Sequence, residues 1–344
     1  MNELRFALLG AGFWARFQLA AWRELGGVRC IAIYNRTRSR AEALAREFGI
    51  PSVYDDAEAL ICRERPDFLD IVTDPGTHAR FVRLAAEHRV PVICQKPMAT
   101  SLPEAEGMVR ACREAGIPFL IHENWRWQRP MREVKAELEA GGLGRPFRGR
   151  IQFSSSFPVF DNQPALKEQD PFLLADVGSH LLDVARFLFG EARRLFAVVR
   201  RVRPDIRGED VATVLLEMES GAAVVCEMSY ASRLEQERFP QTYLLVEAER
   251  GSLVLGPDYE IRRTTREGTV ARRCPPPRYP WADPAYDLVH ASIVPCCADL
   301  RRALRGEGKA ETTGEDNLKT MRLVFGAVES ARTGRAIAIE EARP

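Results

Sequence analysis

A lysine, a histidine and two aspartates are the side chains of this sequence best suited to proton transfer. Lys96 directly follows an apolar run and Gln95. Asp176, His180 and Asp183 are spaced four and three residues apart, so a helix would place all three on one face. A carboxylate beside an imidazole fixes its tautomer and tunes a group that titrates near neutrality, which suits a general base. A lysine can handle protons when it is partly buried.

Each of these residues also has an ordinary structural interpretation. Lys96 fits a surface salt bridge, and Asp176 fits a helix N-cap followed by His180 as a hydrogen-bonded helix residue. Lys96 is, however, one of only five lysines among the 49 basic residues, and it ends a run with the composition of a buried strand. The catalytic interpretation is favoured because a nucleotide-binding pattern occurs in the same chain.

That pattern is Gly10-Ala11-Gly12-Phe13-Trp14-Ala15, which follows the first apolar run and has the form G-x-G-x-x-A. The first glycine allows a tight turn, the second lets a pyrophosphate approach the backbone, and the small sixth residue permits close packing of helix and strand. The helix that begins here offers free amide groups and a partial positive charge to phosphates. We therefore predict cofactor contacts at Gly10, Gly12, Phe13 and Trp14.

The segment after the second apolar run bears on the choice between NAD and NADP. An acidic residue there would bind the ribose hydroxyls of NAD and repel a 2′-phosphate, but the sequence has Asn35. Arg36, Thr37 and Arg40 supply cations and a hydroxyl group to a phosphate. The sequence therefore favours NADP(H) over NAD(H). The alternative is that these basic residues only form the solvent-exposed start of a helix.

Two further loops follow predicted strands and complete the predicted cofactor site. In open α/β sheets, ligands bind at the carboxyl ends of the strands. Thr77 fits a helix cap and His78 fits a cofactor contact, although the cap alone would explain this segment. Pro97 is able to adopt a cis bond. The predicted cofactor-binding residues of these loops are Thr73, Asp74, Pro75, His78, Lys96 and Pro97.

The elements that must position these residues change character along the chain. Up to residue 123, short apolar runs alternate with amphipathic stretches, which predicts a parallel sheet covered on both faces. From about residue 147, strand-like runs follow one another through short turns such as Ser220-Gly221 and Arg250-Gly251, which predicts an antiparallel sheet with helices. The length of 344 residues agrees with two domains.

Composition and charge exclude several classes of function. The 49 basic and 48 acidic residues leave a formal net charge of +1, which gives no electrostatic reason to expect nucleic acid or an anionic membrane as partner. No secretion signal or membrane span is predicted, so we expect a cytoplasmic protein. The eight cysteines include no C-x-x-C pair and are expected to be reduced. His290, Cys296 and Cys297 fit one helix better than a metal site, and no metal is expected.

Together, these motifs resemble the glucose–fructose oxidoreductase / inositol dehydrogenase (Gfo/Idh/MocA) family over nearly the full length. Gln95 stands where the family usually has Glu. The run from His122 to Gln128 is most similar to the D-apiose dehydrogenase group of that family. The matching segments are Gly10–Ala15, Thr73–His78, Gln95-Lys96-Pro97 and Asp176–Asp183.

The resemblance implies an α/β fold in two parts. Residues 1–123 would form a Rossmann dinucleotide-binding domain with a doubly wound parallel sheet. Residues 124–344 would form an α+β substrate-binding domain whose large, mostly antiparallel open sheet mediates a homodimer or homotetramer.

The implied activity is NAD(P)-dependent hydride transfer to or from a sugar or polyol, with oxidation of an aldose to a lactone as one form. His180 would accept the hydroxyl proton, Asp176 would orient it, and Lys96 would hold the substrate oxygen. Asn124, Trp125 and Arg126 are expected near the sugar, with packing as the alternative for the tryptophan. Two other functions stay open: an NAD-dependent glycosidase and a non-catalytic dinucleotide-binding regulatory protein.

Overall fold

The computed structural model describes residues 3–235 and 239–339, which form two compact units. The first unit runs to Glu123 and also includes two later segments, because the chain returns to it twice. These segments are Pro280–Ala282 and Ile293–Met321.

A six-stranded parallel sheet forms the centre of the first unit. Its order, β3-β2-β1-β4-β5-β6, is that of dinucleotide-binding folds, in which ligands bind where the strand order reverses. That reversal lies between β1 and β4, so their carboxyl ends define the edge of interest. The predicted α/β fold is confirmed. The strands are β1 (Leu4–Leu9), β2 (Val28–Tyr34), β3 (Ser52–Tyr54), β4 (Phe68–Ile71), β5 (Val92–Gln95) and β6 (Phe119–His122).

Five helices connect these strands, and in the last of them side-chain hydrogen bonds cap the first turn. Ser101 Oγ accepts a hydrogen bond from the Glu104 amide, and the Glu104 carboxylate accepts one from the Thr100 amide, an arrangement close to a capping box. The patterns did not reveal β3 and α3, because three and eight residues are too few to show a period. The helices are α1 (Phe13–Leu25), α2 (Arg38–Phe48), α3 (Ala57–Glu64), α4 (His78–Glu87) and α5 (Leu102–Ala115).

The second unit contains a nine-stranded sheet in the order β14-β13-β12-β11-β7-β10-β9-β8-β15. Within the described residues, neighbouring strands are antiparallel except for β7 and β10, so the predicted mostly antiparallel sheet is confirmed. The strands are β7 (Pro146–Ser154), β8 (Ala192–Arg200), β9 (Val211–Met218), β10 (Ala223–Ser229), β11 (Thr242–Ala248), β12 (Gly251–Leu255), β13 (Glu260–Thr265), β14 (Gly268–Arg273) and β15 (Ile337–Ala338).

One helix of this unit, α8, is buried against the sheet and carries His180. Its apolar residues pack on β7 and β10, and the Phe189 ring lies so close to Gly149 that a β-carbon there would collide with it. No helix in the described ranges has the length and apolarity needed to cross a bilayer. The α-helices that follow α5 in the chain are α6 (Arg129–Glu139), α7 (Val159–Asn162), α8 (Ser179–Phe189), α9 (Asp287–Leu304) and α10 (Gly314–Thr333).

Candidate active site

The glycine-rich turn joins β1 to α1. Gly10 has φ +115°, and a β-carbon there would lie 2.6 Å from the carbonyl oxygen of Val72, so backbone geometry requires glycine. The Gly10 amide donates to the Tyr34 carbonyl oxygen at 2.8 Å, which fixes the turn against β2. Gly12 is the N-cap of α1, and a β-carbon at this position would meet no protein atom within 4 Å.

These features fit a bound dinucleotide. The space beside Gly12 is where a pyrophosphate would approach the backbone, and the first turn of α1 contains no acidic residue to repel it. Ala15 is fully buried, as close packing of helix and strand requires.

Asn35 supports the glycine-rich turn from the end of β2. Its Oδ1 accepts a hydrogen bond from the Ala11 amide at 3.0 Å, and its Nδ2 donates to the Thr37 carbonyl oxygen at 2.9 Å. An aspartate would place a carboxylate oxygen against that carbonyl. Position 35 is therefore specified by the local backbone as well as by any cofactor. Arg36 and Arg40 are exposed beside it.

The loop after β4 is tied together by short-range hydrogen bonds. Asp74 Oδ1 accepts from the Gly76 amide, and Thr77 Oγ1 lies 2.8 Å from both Thr73 Oγ1 and the Asp74 carbonyl oxygen. Pro75 begins a 3-10 turn that ends at Thr77. This geometry gives Asp74 a capping role, whereas Thr77 stands at the N-cap position of α4 without a side-chain hydrogen bond to the helix. Cofactor contacts of this loop stay a prediction.

His78 connects that loop to the loop carrying Lys96. The side chain is fully buried. Its Nδ1 lies 3.2 Å and 3.3 Å from the carbonyl oxygens of Pro97 and Met98, and its Nε2 lies 3.1 Å from that of Thr73. Burial lowers the pKa of His78, and the three carbonyl oxygens partly oppose this shift. His78 is thus held by backbone carbonyl oxygens through both ring nitrogens, and its contact with a cofactor stays a prediction.

Lys96 directly follows β5 and is half-buried, and its bond to Pro97 is cis. The preceding residue, Gln95, begins a chain of buried hydrogen bonds. Gln95 Nε2 donates to Gln18 Oε1 at 3.3 Å, and Gln18 Nε2 donates to Asp70 Oδ2 at 2.9 Å. Sequence patterns do not reveal these hydrogen bonds, because they connect three separate elements of the first unit.

In the second unit, Asp176 and His180 lie in consecutive turns of helical backbone. Asp176 lies in a single π-helical turn, Leu174–Gly178, and His180 lies in the first turn of α8. π-Helical turns occur frequently at functional sites. Asp176 is not the N-cap of this segment. The backbone amides of Phe172 and Leu174 instead donate to the Glu209 carboxylate, at 3.2 Å and 2.8 Å.

Tyr230, another residue that the sequence analysis missed, contacts Asp176. Its hydroxyl group donates to Asp176 Oδ2 at 3.5 Å. Burial and the nearby carboxylate raise the pKa of Tyr230 well above its ordinary value, so the hydroxyl keeps its proton and remains a donor.

The three residues expected near the sugar all contact other parts of the second unit. Asn124 Nδ2 donates to Ser292 Oγ at 2.9 Å. The Trp125 ring stacks on the His180 ring, with centroids 4.4 Å apart and planes 2° from parallel. Arg126 forms a bidentate pair with Asp183, through Nε at 2.8 Å and Nη2 at 2.6 Å. Both partners in this pair are buried.

The alternative metal site has no counterpart in the part of the chain that the structure describes. Within it, no group of three or more His, Cys, Asp or Glu side chains is arranged to hold a metal ion. His290 Nδ1 accepts a hydrogen bond from the Asp283 amide, and Cys296 donates to the Glu123 carbonyl oxygen.

Comparison with known proteins identifies the family. The model of an oxidoreductase family with an NAD-binding Rossmann fold, GFO_IDH_MocA, matches residues 4–122, and the model of the GFO/IDH/MocA C-terminal domain matches residues 131–254. The chain belongs to the Gfo/Idh/MocA family. It is therefore an oxidoreductase that binds a nicotinamide dinucleotide, and the resemblance seen in its motifs is confirmed.

Two curated relatives and one solved structure in this family align over nearly the whole chain. D-apiose dehydrogenase from Rhizobium rhizogenes is 42% identical, with 98% of each chain covered. D-apiose dehydrogenase from Paraburkholderia graminis is 43% identical, over 99% of this chain and 91% of the relative. An Agrobacterium radiobacter oxidoreductase, crystallised with NAD+, L-tartaric acid and magnesium, is 41% identical with a TM-score of 0.96, over 98% of this chain and 99% of that one.

Proposed function

We propose that this protein is a D-apiose dehydrogenase that oxidises the sugar to its lactone with a nicotinamide cofactor. The observation that carries the proposal is the identity of 42–43%, over almost the full length, to two proteins of that activity. The run from His122 to Gln128, which we matched to the same group, supports it.

The proposed chemistry assigns one role to each of three side chains. A bound nicotinamide supplies the acceptor for hydride. A ring nitrogen of His180 takes the proton of the sugar hydroxyl, because an alkoxide releases hydride far more readily than an alcohol. Asp176 orients the imidazole, and Lys96 Nζ donates a hydrogen bond to the same substrate oxygen. Proton transfer of this kind contributes roughly 10²–10⁴-fold to the rate.

The geometry of the second unit supports a framework role for two of the residues expected near the sugar. The Asn124 amide nitrogen is engaged by Ser292, and the Arg126 guanidinium is engaged by Asp183. We propose that both residues maintain the local structure around α8. Contacts of Lys96, Asp176 and His180 with the sugar remain part of the proposal.

The test is production of reduced nicotinamide, measured by absorbance, with D-apiose, other aldoses and inositols as substrates. We expect turnover to be highest with D-apiose, and His180→Ala and Lys96→Met to abolish turnover while nucleotide binding persists. Full turnover by His180→Ala would exclude His180 as the base. Hydrolysis of glycosides without net accumulation of reduced cofactor would instead support the glycosidase alternative.

For the cofactor, we propose a preference for NADP(H) over NAD(H). Position 35 carries no acidic group, and Arg36 is exposed next to it. The Agrobacterium radiobacter relative was crystallised with NAD+, so the two cofactors must be compared directly. We expect Arg36→Gln to raise the KM for NADP+ while leaving that for NAD+ unchanged. Equal effects on both cofactors would refute the assignment of Arg36 to the 2′-phosphate.

We also propose that the nine-stranded sheet mediates a homodimer or homotetramer. Phe196 on β8 lies opposite Leu215 on β9, and the two are 37% and 45% exposed. Val198, two residues after Phe196 on the same face, is 58% exposed. Adjacent exposed apolar side chains of this kind mark interfaces. Leu215→Glu is expected to shift the mass measured by light scattering toward the monomer, and an unchanged mass would locate the interface elsewhere.

A further inference from the structure

We infer that Trp125 is a positioning residue for the general base, holding the imidazole of His180 in its plane and favouring the protonated form. The inference rests on the role proposed for His180. The two rings are nearly parallel, 2° apart, and their centroids are separated by 4.4 Å. Trp125 is 4% exposed and His180 is 5% exposed, so the contact is largely shielded from water.

The indole of Trp125 is itself held in place from two directions. Phe153 on β7 packs against it, with ring centroids 5.9 Å apart. The next residue, Arg126, forms its bidentate pair with Asp183, three residues after His180 on α8. Consecutive residues of one 3-10 turn, Trp125–Trp127, therefore contact two residues on the same face of α8. This double attachment fixes the stack more firmly than a ring contact alone.

The stack has two consequences for proton transfer. It restricts rotation of the imidazole about its bond to Cβ, so that its ring nitrogens keep one direction. It also places the negative face of the indole against a ring that becomes positively charged on accepting the substrate proton, which is a cation–π interaction. In the oxidation direction, the proton passes from the sugar hydroxyl to a ring nitrogen, and the electron pair of the C–H bond leaves as hydride.

Other ionisable groups also act on His180, and the indole must be distinguished from them. Asp176 and Asp183 lie on its own helical segment, Arg126 lies on the neighbouring turn, and Tyr230 follows β10. The Asp176 carboxylate would favour the imidazolium, whereas the charge of Asp183 is offset by Arg126 and by Arg186, whose Nη1 lies 3.8 Å from Asp183 Oδ1. None of these groups is removed by a change at Trp125.

The experiment compares Trp125→Leu, Trp125→Phe and a control, Trp127→Leu, through the pH dependence of kcat/KM. Trp127 lies on the same turn but faces Arg132, whose guanidinium carbon is 4.1 Å from its ring centroid. In Trp125→Leu we expect the acidic limb of the profile to move to lower pH by about half a unit to one and a half units. We also expect kcat to fall more than KM rises. Trp125→Phe keeps a ring with a weaker negative face, so it should move the limb in the same direction by a smaller amount and retain most of kcat. Trp127→Leu should leave the limb at the pH found for the unchanged protein.

A second measurement keeps the inference testable if Trp125→Leu does not fold. The protonation midpoint of His180 is measured by NMR in the unchanged protein and in Trp125→Phe, without substrate, with His180→Ala used to assign the signal. A lower midpoint in Trp125→Phe supports the inference, and an identical midpoint overturns it. This readout does not depend on turnover. Full activity of His180→Ala would therefore refute the proposed base without being mistaken for failure of the stack.

Discussion

Asp70 is a buried carboxyl group whose removal is expected to stabilise the protein at neutral pH. It lies on β4 with no exposed surface, and its Oδ2 accepts hydrogen bonds from Trp22 Nε1 at 2.7 Å and from Gln18 Nε2 at 2.9 Å. Its Oδ1 has no hydrogen-bond partner among residues 3–235 and 239–339. Burial raises the pKa of Asp70 from 3.8 to about 6, although the two hydrogen bonds oppose the rise.

The sign of the effect follows from proton linkage. Because the folded protein binds the Asp70 proton more tightly than the unfolded chain, the free energy of unfolding falls as the pH rises between about 4 and about 6. A shift of about two pKa units corresponds to about 3 kcal/mol. Asp70→Asn cannot ionise, yet its Oδ1 can still accept from Trp22 and Gln18. Relative to the unchanged protein, the variant should therefore gain about 3 kcal/mol between pH 4 and pH 8.

The assay is denaturant unfolding, followed by tryptophan fluorescence, of both proteins at several pH values. The internal control for altered packing or hydrogen bonding is the difference between the two proteins in free energy of unfolding at pH 4. At this pH the side chain at position 70 is neutral in both folded proteins. Only the change in that difference with pH measures the buried charge. A difference that is the same at pH 4 and pH 8 would show that Asp70 ionises at no cost, and the reasoning from burial would be refuted.

Three further predictions concern the elements that hold the site. Gly10→Ala should lower the melting temperature, because its β-carbon would clash with the Val72 carbonyl oxygen. Gly12→Ala should keep the melting temperature, because its β-carbon meets no protein atom within 4 Å. It should lose cofactor affinity in calorimetry, because that β-carbon would occupy the space where a pyrophosphate approaches the backbone. Equal cofactor affinity of Gly12→Ala and the unchanged protein would contradict this assignment. Glu209→Ala removes the acceptor of two backbone amides before Asp176 and should cost about 1–2 kcal/mol in thermal unfolding, with a fall in kcat. Unchanged stability would mean that this cap is dispensable.

Local patterns were sufficient to predict most of the fold. The alternation of apolar runs and helical stretches gave the parallel sheet, and the G-x-G-x-x-A turn lies where predicted, between β1 and α1. These features were accessible because each depends on residues that are close in sequence. The return of Ile293–Met321 to the first unit could not be predicted, since nothing in the composition of that segment shows which unit it joins.

The contacts around His180 show why the site itself was harder to predict. His180 was selected because Asp176 precedes it by one helical turn, a spacing that the sequence displays directly. Glu209, by contrast, reaches the Leu174 amide from 35 residues away, and Trp125 meets His180 from another element altogether. Such contacts depend on how a turn and a helix pack together, which periodicity does not encode.

Arg126 also shows that neighbours in sequence do not reveal the partner of a buried side chain. Its position beside two tryptophans suggested a sugar-binding cation, but the structure pairs its guanidinium with Asp183. A buried arginine needs a compensating carboxylate, because an unpaired charge in this environment would be strongly destabilising. Asp183 was visible in the sequence as the third member of a helical face with Asp176 and His180. The physical requirement for charge pairing, applied to that face, therefore explains why Asp183, the aspartate nearest the helix centre, pairs with Arg126.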